Sequence, residues 1–142
     1  HYKYGGASGM YALEVNKFKA LGMLDDIKES FEKAIQLDPK HIGARWALVE
    51  LYIKLPGIVG GSESKAKKYS NELLAISAVD GYMSRGRIEE YFKRYKAAEV
   101  AYKKAIVASN NSAESCKKLA ELYKNKMNEP AKASALLEQL KK

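Results

Sequence analysis

The chain has 142 residues, enough for about one domain with a core of its own. No apolar run approaches the roughly 18 residues a membrane-spanning helix needs, and the single cysteine, Cys116, excludes an intrachain disulfide. Net charge is +8 and uneven: residues 1–62 hold 8 Lys+Arg against 7 Asp+Glu, residues 63–142 hold 17 against 10. A basic half raises nucleic acid, an anionic membrane or an acidic peptide as partners. The lysines are dispersed, however. On a helix Lys65, Lys67 and Lys68 point in different directions, which reads as solvated surface.

Tyr11, Val15, Phe18 and Leu21 fall at helical spacing, so a long helix is expected from about Tyr2 to Ala20, loosened at Gly5, Gly6 and Gly9. Gly22 is expected to end it. Asp25 or Asp26 then caps a second helix, with Asp26 and Glu29 as a capping-box pair. Phe31, Ala34 and Ile35 give that helix an apolar face, and Asp38-Pro39 stops it near Leu37. Ala44, Leu48, Leu51, Tyr52 and Leu55 mark another amphipathic helix from about His41 to Lys54. A turn this short makes the two helices antiparallel neighbours.

Leu55 to Ala66, LPGIVGGSESKA, interrupts the pattern. Pro56 ends a helix, Gly57, Gly60 and Gly61 open backbone angles closed to other residues, and Ser62 suits an N-cap for a helix to about Ile76. Apolar Ile58 and Val59 are expected to fold back into cover. A loop that contacts a peptide or partner is a second reading, and a phosphate cradle a third, since a glycine turn entering a helix can hold an anion, but the spacing G-x-x-x-x-G-K-[ST] is absent and no strand precedes it. A structural loop is expected.

Asp80-Gly81 opens the next helix pair, whose first helix runs to about Phe92; Lys93 to Lys96 turn the chain; Ala98, Tyr102 and Ala105 mark the inner face of a partner helix to about Ala108. Glu89 and Glu90 are neighbours, which point about 100° apart on a helix, so they read as a solvated pair. Asn110-Asn111-Ser112 is a turn and cap. Leu119, Ala120, Leu122 and Tyr123 form the stripe of the following helix, to about Lys126, with Cys116 as a small buried filler. Asn128 is expected to cap the last helix, with Pro130 in its first turn and Ala133, Leu137 and Leu140 facing inward.

The helical pairs repeat. FEKAIQLDP at residues 31–39 is echoed by YKKAIVASN at 102–110, more weakly by YSNELLAIS at 69–77, and by ALLEQLKK at 135–142. The anchors Ala34, Leu73, Ala105 and Leu140 are separated by 39, 32 and 35 residues. A helix-turn-helix repeat near 34 residues resembles the tetratricopeptide repeat family. Gly5-Gly6 after Tyr2 and Tyr4, and Gly86 after Tyr82, match its aromatic-to-small spacing, while Glu89 stands where the family prefers an aromatic. The P-G-I-V-G-G-S insertion resembles one in a group of bacterial tetratricopeptide proteins. The resemblance implies an all-α solenoid of antiparallel helix pairs, a right-handed superhelix of about four repeats and eight helices. It also implies a single domain over 1–142, with repeats at about 1–40, 41–79, 80–111 and 112–142 and an insertion loop at 55–62.

The same resemblance implies a concave groove that binds a protein or peptide. In its register the groove residues are Trp46, Glu50 and Lys54, then Met83, Arg87 and Glu90, then Lys117, Glu121 and Lys124. Trp46 is either a binding anchor or packs between repeats. The clamp subclass that grips acidic chaperone tails is not matched, since Gly6, Ala47, Glu50, Ser84 and Arg87 stand where its asparagines or cations belong.

No HExxH, CxxC, GxSxG or GxGxxG occurs, and His1 and His41 are too far apart in sequence to suggest a metal site. The expectation is therefore a binding scaffold without catalysis, cofactor or metal. Self-association through an uncapped last helix is the alternative, and nucleic acid ranks last because aromatic-basic interleaving is missing. The chain begins at His1 without methionine, as a trimmed domain or mature form would. The bacterial resemblance points to the periplasm or envelope, with the cytoplasm as the other reading.

Overall fold

The structure, a computed structural model, describes residues 17–140. Among them are seven α-helices and no β-strand: α1 (Lys17–Leu37), α2 (Ile42–Lys54), α3 (Glu63–Ile76), α4 (Ala78–Tyr91), α5 (Tyr95–Ala108), α6 (Ala113–Asn125) and α7 (Pro130–Leu140). A turn of 3-10 helix, Gly57–Val59, lies between α2 and α3. The chain forms two compact units, His1–Ala66 and Lys67–Lys142. No helix of the described residues is long and apolar enough to cross a membrane.

In the first unit α1 packs on α2. The helix expected over Tyr2 to Ala20, with Gly5, Gly6 and Gly9, lies almost wholly outside the described residues. The break expected at Gly22 does not occur. α1 runs through it, and Asp25 and Asp26 sit inside the helix rather than at its start. One interior glycine costs only about 1 kcal/mol against alanine, and apolar positions continue past it with buried Leu24 and half-buried Ile27, Phe31, Ala34 and Ile35. A lone glycine inside an unbroken stripe is too weak to end a helix.

Asp38-Pro39 does stop α1. The His41 N–H donates to the Asp38 carbonyl at 2.9 Å, and His41 Nδ1 then accepts from the Ala44 N–H at 2.9 Å, so the imidazole caps α2. α2 buries Ala44, Ala47, Leu48, Val49, Tyr52 and Ile53. Lys28 and Lys65 hold their ammonium groups 5.4 and 5.5 Å from the Tyr52 ring centroid, both within cation–π range.

The loop after α2 is closed by its own backbone. Gly60 N–H donates to Gly57 C=O at 3.1 Å, Gly61 N–H to Pro56 C=O at 3.0 Å, and Ser62 N–H to Tyr52 C=O at 2.9 Å. Gly60 takes φ 104°, open only to glycine at little cost. Ser62 Oγ accepts from the Lys65 N–H at 3.1 Å, capping α3 as expected. Ile58, expected to be covered, is 93% exposed. The 3-10 turn and the left-handed Gly60 set the loop path through backbone bonds, so it does not need Ile58 for anchorage; the Val59 side chain, expected to be covered with it, lies outside what the structure describes.

The second unit is the more regular. Only Ser77 separates α3 from α4, and its Oγ accepts from the Asp80 N–H at 3.3 Å. The helix therefore begins at Ala78, with Asp80 and Gly81 in its first turn. Ser70 on α3 and Ser84 on α4 join hydroxyls at 2.7 Å in the core, and Ser84 also donates to the Gly81 carbonyl at 2.9 Å.

α4 packs against α5, α5 against α6, and α6 against α7. The shared core is Ala98, Tyr102, Leu119, Ala120, Leu122, Tyr123 and Ala133, with Met83, Tyr95, Ile106, Met127 and Leu136 laid on it. Fully burying a side chain such as Leu119 or Leu122 contributes about 1.5–3 kcal/mol. α4 and α5 close in left-handed residues, Lys93 at φ 63° and Asn110 at φ 56°. After α4, Arg94 N–H reaches Glu89 C=O and Lys93 N–H reaches Glu90 C=O; after α5, Asn111 N–H reaches Ile106 C=O and Asn110 N–H reaches Val107 C=O. Ser112 caps α6, accepting from the Ser115 N–H at 3.2 Å.

Two expectations for α7 are corrected. The helix starts at Pro130, so Glu129 precedes it directly, and Asn128 instead takes a left-handed φ of 53° in the turn. Proline suits the first helical position because the N–H it lacks would go unbonded there. Leu137 is 39% exposed rather than inward; Leu136 takes the core-facing place beside buried Ala133.

Candidate functional site

The nine residues expected to line a groove divide between the two units. Trp46, Glu50 and Lys54 lie on α2, with Trp46 and Glu50 half-buried and Lys54 exposed. Met83, Arg87 and Glu90 lie on α4; Lys117, Glu121 and Lys124 lie on α6.

In the second unit three of these residues meet around one phenol. Tyr102 on α5 is fully buried, and its hydroxyl donates to Glu90 Oε1 at 2.8 Å. Burial first, then the Glu90 carboxylate, hold the phenol well above the usual tyrosine range, while Arg87 pulls the other way and Glu121 adds to the rise. Arg87, Glu90 and Glu121 thus share one electrostatic neighbourhood. Arg87 also lies 5.7 Å from the Tyr91 ring centroid. Met83 is partly core, packed against the shared cluster. Lys117, Glu121 and Lys124 form an exposed row on α6, opposite its buried stripe.

Glu89 and Glu90 are not the solvated pair expected. Glu89 is buried, with Arg94 Nε at 2.7 Å and Lys67 Nζ at 3.8 Å from its carboxylate oxygens. Glu90 accepts from Tyr102. Nothing in the spacing of two adjacent carboxylates shows which cations the fold brings to them. Glu99 is similar: it accepts from the Tyr123 hydroxyl at 2.6 Å and lies 3.4 Å from Lys103 Nζ. The Tyr123 bond is the main reason its carboxyl falls below the ordinary glutamate range.

The loop residues Pro56, Gly57, Gly60 and Gly61 form a closed turn. The N–H groups of Gly60, Gly61 and Ser62 are already given to carbonyls, so those three donors are not free to cradle a phosphate. Cys116 is buried, and burial pushes its thiol up, away from a nucleophilic thiolate. Among the described residues no three His, Cys, Asp or Glu side chains converge as metal ligands would.

Sequence reasoning missed two clefts. One, of about 490 Å³, opens between α3, α4 and α5, with Ser70, Asn71, Tyr82, Arg85, Val100 and Lys104 among its walls. On α4 its residues Tyr82, Arg85 and Glu89 form one row, and the expected groove residues Met83, Arg87 and Glu90 form another. The sequence shows Arg85 and Lys104 only as two more dispersed cations, and their spacing does not reveal that they share a cleft. The other cleft, of about 370 Å³, lies between α1 and α2 beside Phe31, Ala34, Leu37 and His41.

Comparison with known protein families finds no model that matches the chain. Comparison with curated proteins finds no match.

Proposed function

We propose that the chain is a non-catalytic scaffold of the tetratricopeptide type, about four helix pairs in a right-handed solenoid, that binds a protein or peptide along its first helices. The observation that carries this reading is the α4–α5 pair. Its small anchors Ala98 and Ala105 are wholly buried beside Tyr102. Gly86 gives the Tyr102 ring room that a β-carbon would fill. Helices of 13 or 14 residues recur from α2 to α6, joined by short turns in the second unit. That is the rhythm of a stacked repeat, in which each pair hides a face it cannot shield alone.

Partner contact is assigned to Trp46, Glu50 and Lys54, to Met83, Arg87 and Glu90, and to Lys117, Glu121 and Lys124. The test compares crosslinked capture by the wild-type chain with capture by the triple variant Trp46→Ala, Arg87→Ala, Lys117→Ala, and by Lys126→Ala as a surface control. Partners lost from the triple variant alone support the groove. Equal capture by all three refutes it. Half-exposed Leu137 on α7 favours a second reading, self-association through the last helix; light scattering that finds only monomer at high concentration rules this out.

A further inference from the structure

We propose that the cleft between α3, α4 and α5 is a separate binding site, for the C-terminal apolar residue of a polypeptide, with its α-carboxylate held between Arg85 and Lys104. The two cations come from different helices onto one cleft. Neither pairs with a carboxylate among the described residues. Arg85 Nη2 donates to Asn71 Oδ1 at 3.2 Å, and its Nε is buried and meets no acceptor there. Lys104 Nζ stands 5.8 Å from the Tyr82 ring centroid, a contact that leaves its three N–H donors without an anion. The carboxylate on the wall, Glu89, is already held by Arg94 and Lys67. The cleft thus keeps positive charge unanswered beside an apolar floor.

That floor is Leu74, Ala97 and Val100, with Leu74 and Val100 39% and 53% exposed. About 490 Å³ lies within the size range of small-ligand sites, roughly 300–1,000 Å³. A carboxylate and an apolar side chain on adjoining atoms satisfy both halves. The Asn71 amide and the Tyr82 hydroxyl on the same walls add neutral hydrogen-bonding groups suited to a peptide unit, which an aliphatic acid lacks. The cleft row Tyr82, Arg85, Glu89 omits Arg87 and Glu90, so this site can fail while the groove reading stands.

The experiment is an NMR titration of the 142-residue chain with N-acetyl-leucine, N-acetyl-leucinamide, hexanoate and a short peptide ending in free leucine. The acid is expected to move the backbone resonances of Asn71, Tyr82, Arg85, Val100 and Lys104. The amide, lacking the charge, is expected to bind about tenfold more weakly, the scale of one charged hydrogen bond. The peptide should bind more tightly than hexanoate. The R85Q/K104Q variant, checked for folding by circular dichroism, should lose the preference for acid over amide. Acid and amide acting alike on the wild type, or an acid that moves none of these resonances, overturns the proposal. Hexanoate binding as well as the peptide overturns the polypeptide assignment.

Discussion

Gly86 on α4 lies against the ring of Tyr102 on α5, so near that a β-carbon would stand 2.3 Å from Cε1. The ring is wholly buried and its hydroxyl is tied to Glu90, so it cannot swing aside. Gly86→Ala therefore forces the two helices apart. Overpacking of this kind costs about 1–3 kcal/mol, partly offset by the roughly 1 kcal/mol that alanine gains over glycine in a helix. With the β-carbon so close to a ring that cannot move, the upper part of that range applies, and the expected outcome is a net loss near 1–2 kcal/mol in urea unfolding. An unchanged midpoint contradicts the packing described.

Glu89 and Arg94 form a partly buried pair at 2.7 Å. Arg94→Ala leaves the carboxylate with Lys67 farther off at 3.8 Å, and should cost about 2 kcal/mol, the scale of a hydrogen bond to a charged group. Glu89→Leu added to Arg94→Ala removes the stranded charge and should recover much of the loss. If the double variant is less stable than Arg94→Ala alone, the carboxylate is not the source of the penalty.

Stability should fall at both ends of the pH scale. The Glu99 carboxyl is lowered in the fold, chiefly by the Tyr123 hydrogen bond. Below the ordinary glutamate value of about 4.3, the unfolded chain takes up a proton that folded Glu99 refuses, so stability drops on acidification. Tyr102 and Tyr123 are raised, chiefly by burial. Above about pH 10 the unfolded phenols ionise first, so stability drops again as pH rises. Tyr123→Phe should flatten the acid limb of unfolding free energy measured from pH 5 to pH 2. An acid limb as steep as wild type counts against the assignment.

Lys93 closes α4 in the left-handed region at φ 63°. An L-residue pays about 1–2 kcal/mol for that geometry, and glycine regains most of it, less the freedom glycine adds to the unfolded chain. Lys93→Gly should raise stability by about 0.5–1 kcal/mol in thermal or urea unfolding. A loss would show that the Lys93 side chain contributes more than its backbone costs.

What the sequence revealed and what it hid differ in kind. The stripes Ala98, Tyr102, Ala105 and Leu119, Ala120, Leu122, Tyr123 are periodic and fully apolar, and all seven residues are buried. Asp38-Pro39, Ser62 and Ser112 act locally on the next few N–H groups, so they too were readable. Gly22 misled because a glycine signals only a tendency, and the surrounding stripe outweighed it. Glu89 and the Arg85–Lys104 cleft were hidden because their partners lie on other helices. Glu89 meets Lys67 from α3, and Arg85 shares its cleft with Lys104 from α5. Linear spacing does not record which helices will be neighbours.

Ser70 and Ser84 join two hydroxyls across α3 and α4 inside an otherwise oily interior. Each satisfies the other only at one alignment of the pair. Slipping either helix by a turn would strand the Ser70 hydroxyl away from water and leave Ser84 only its bond to Gly81 in its own helix, whereas leucine against leucine would tolerate the slide. The serines thus index the two helices, and it is this notch, rather than greasy contact, that makes their mutual offset unique.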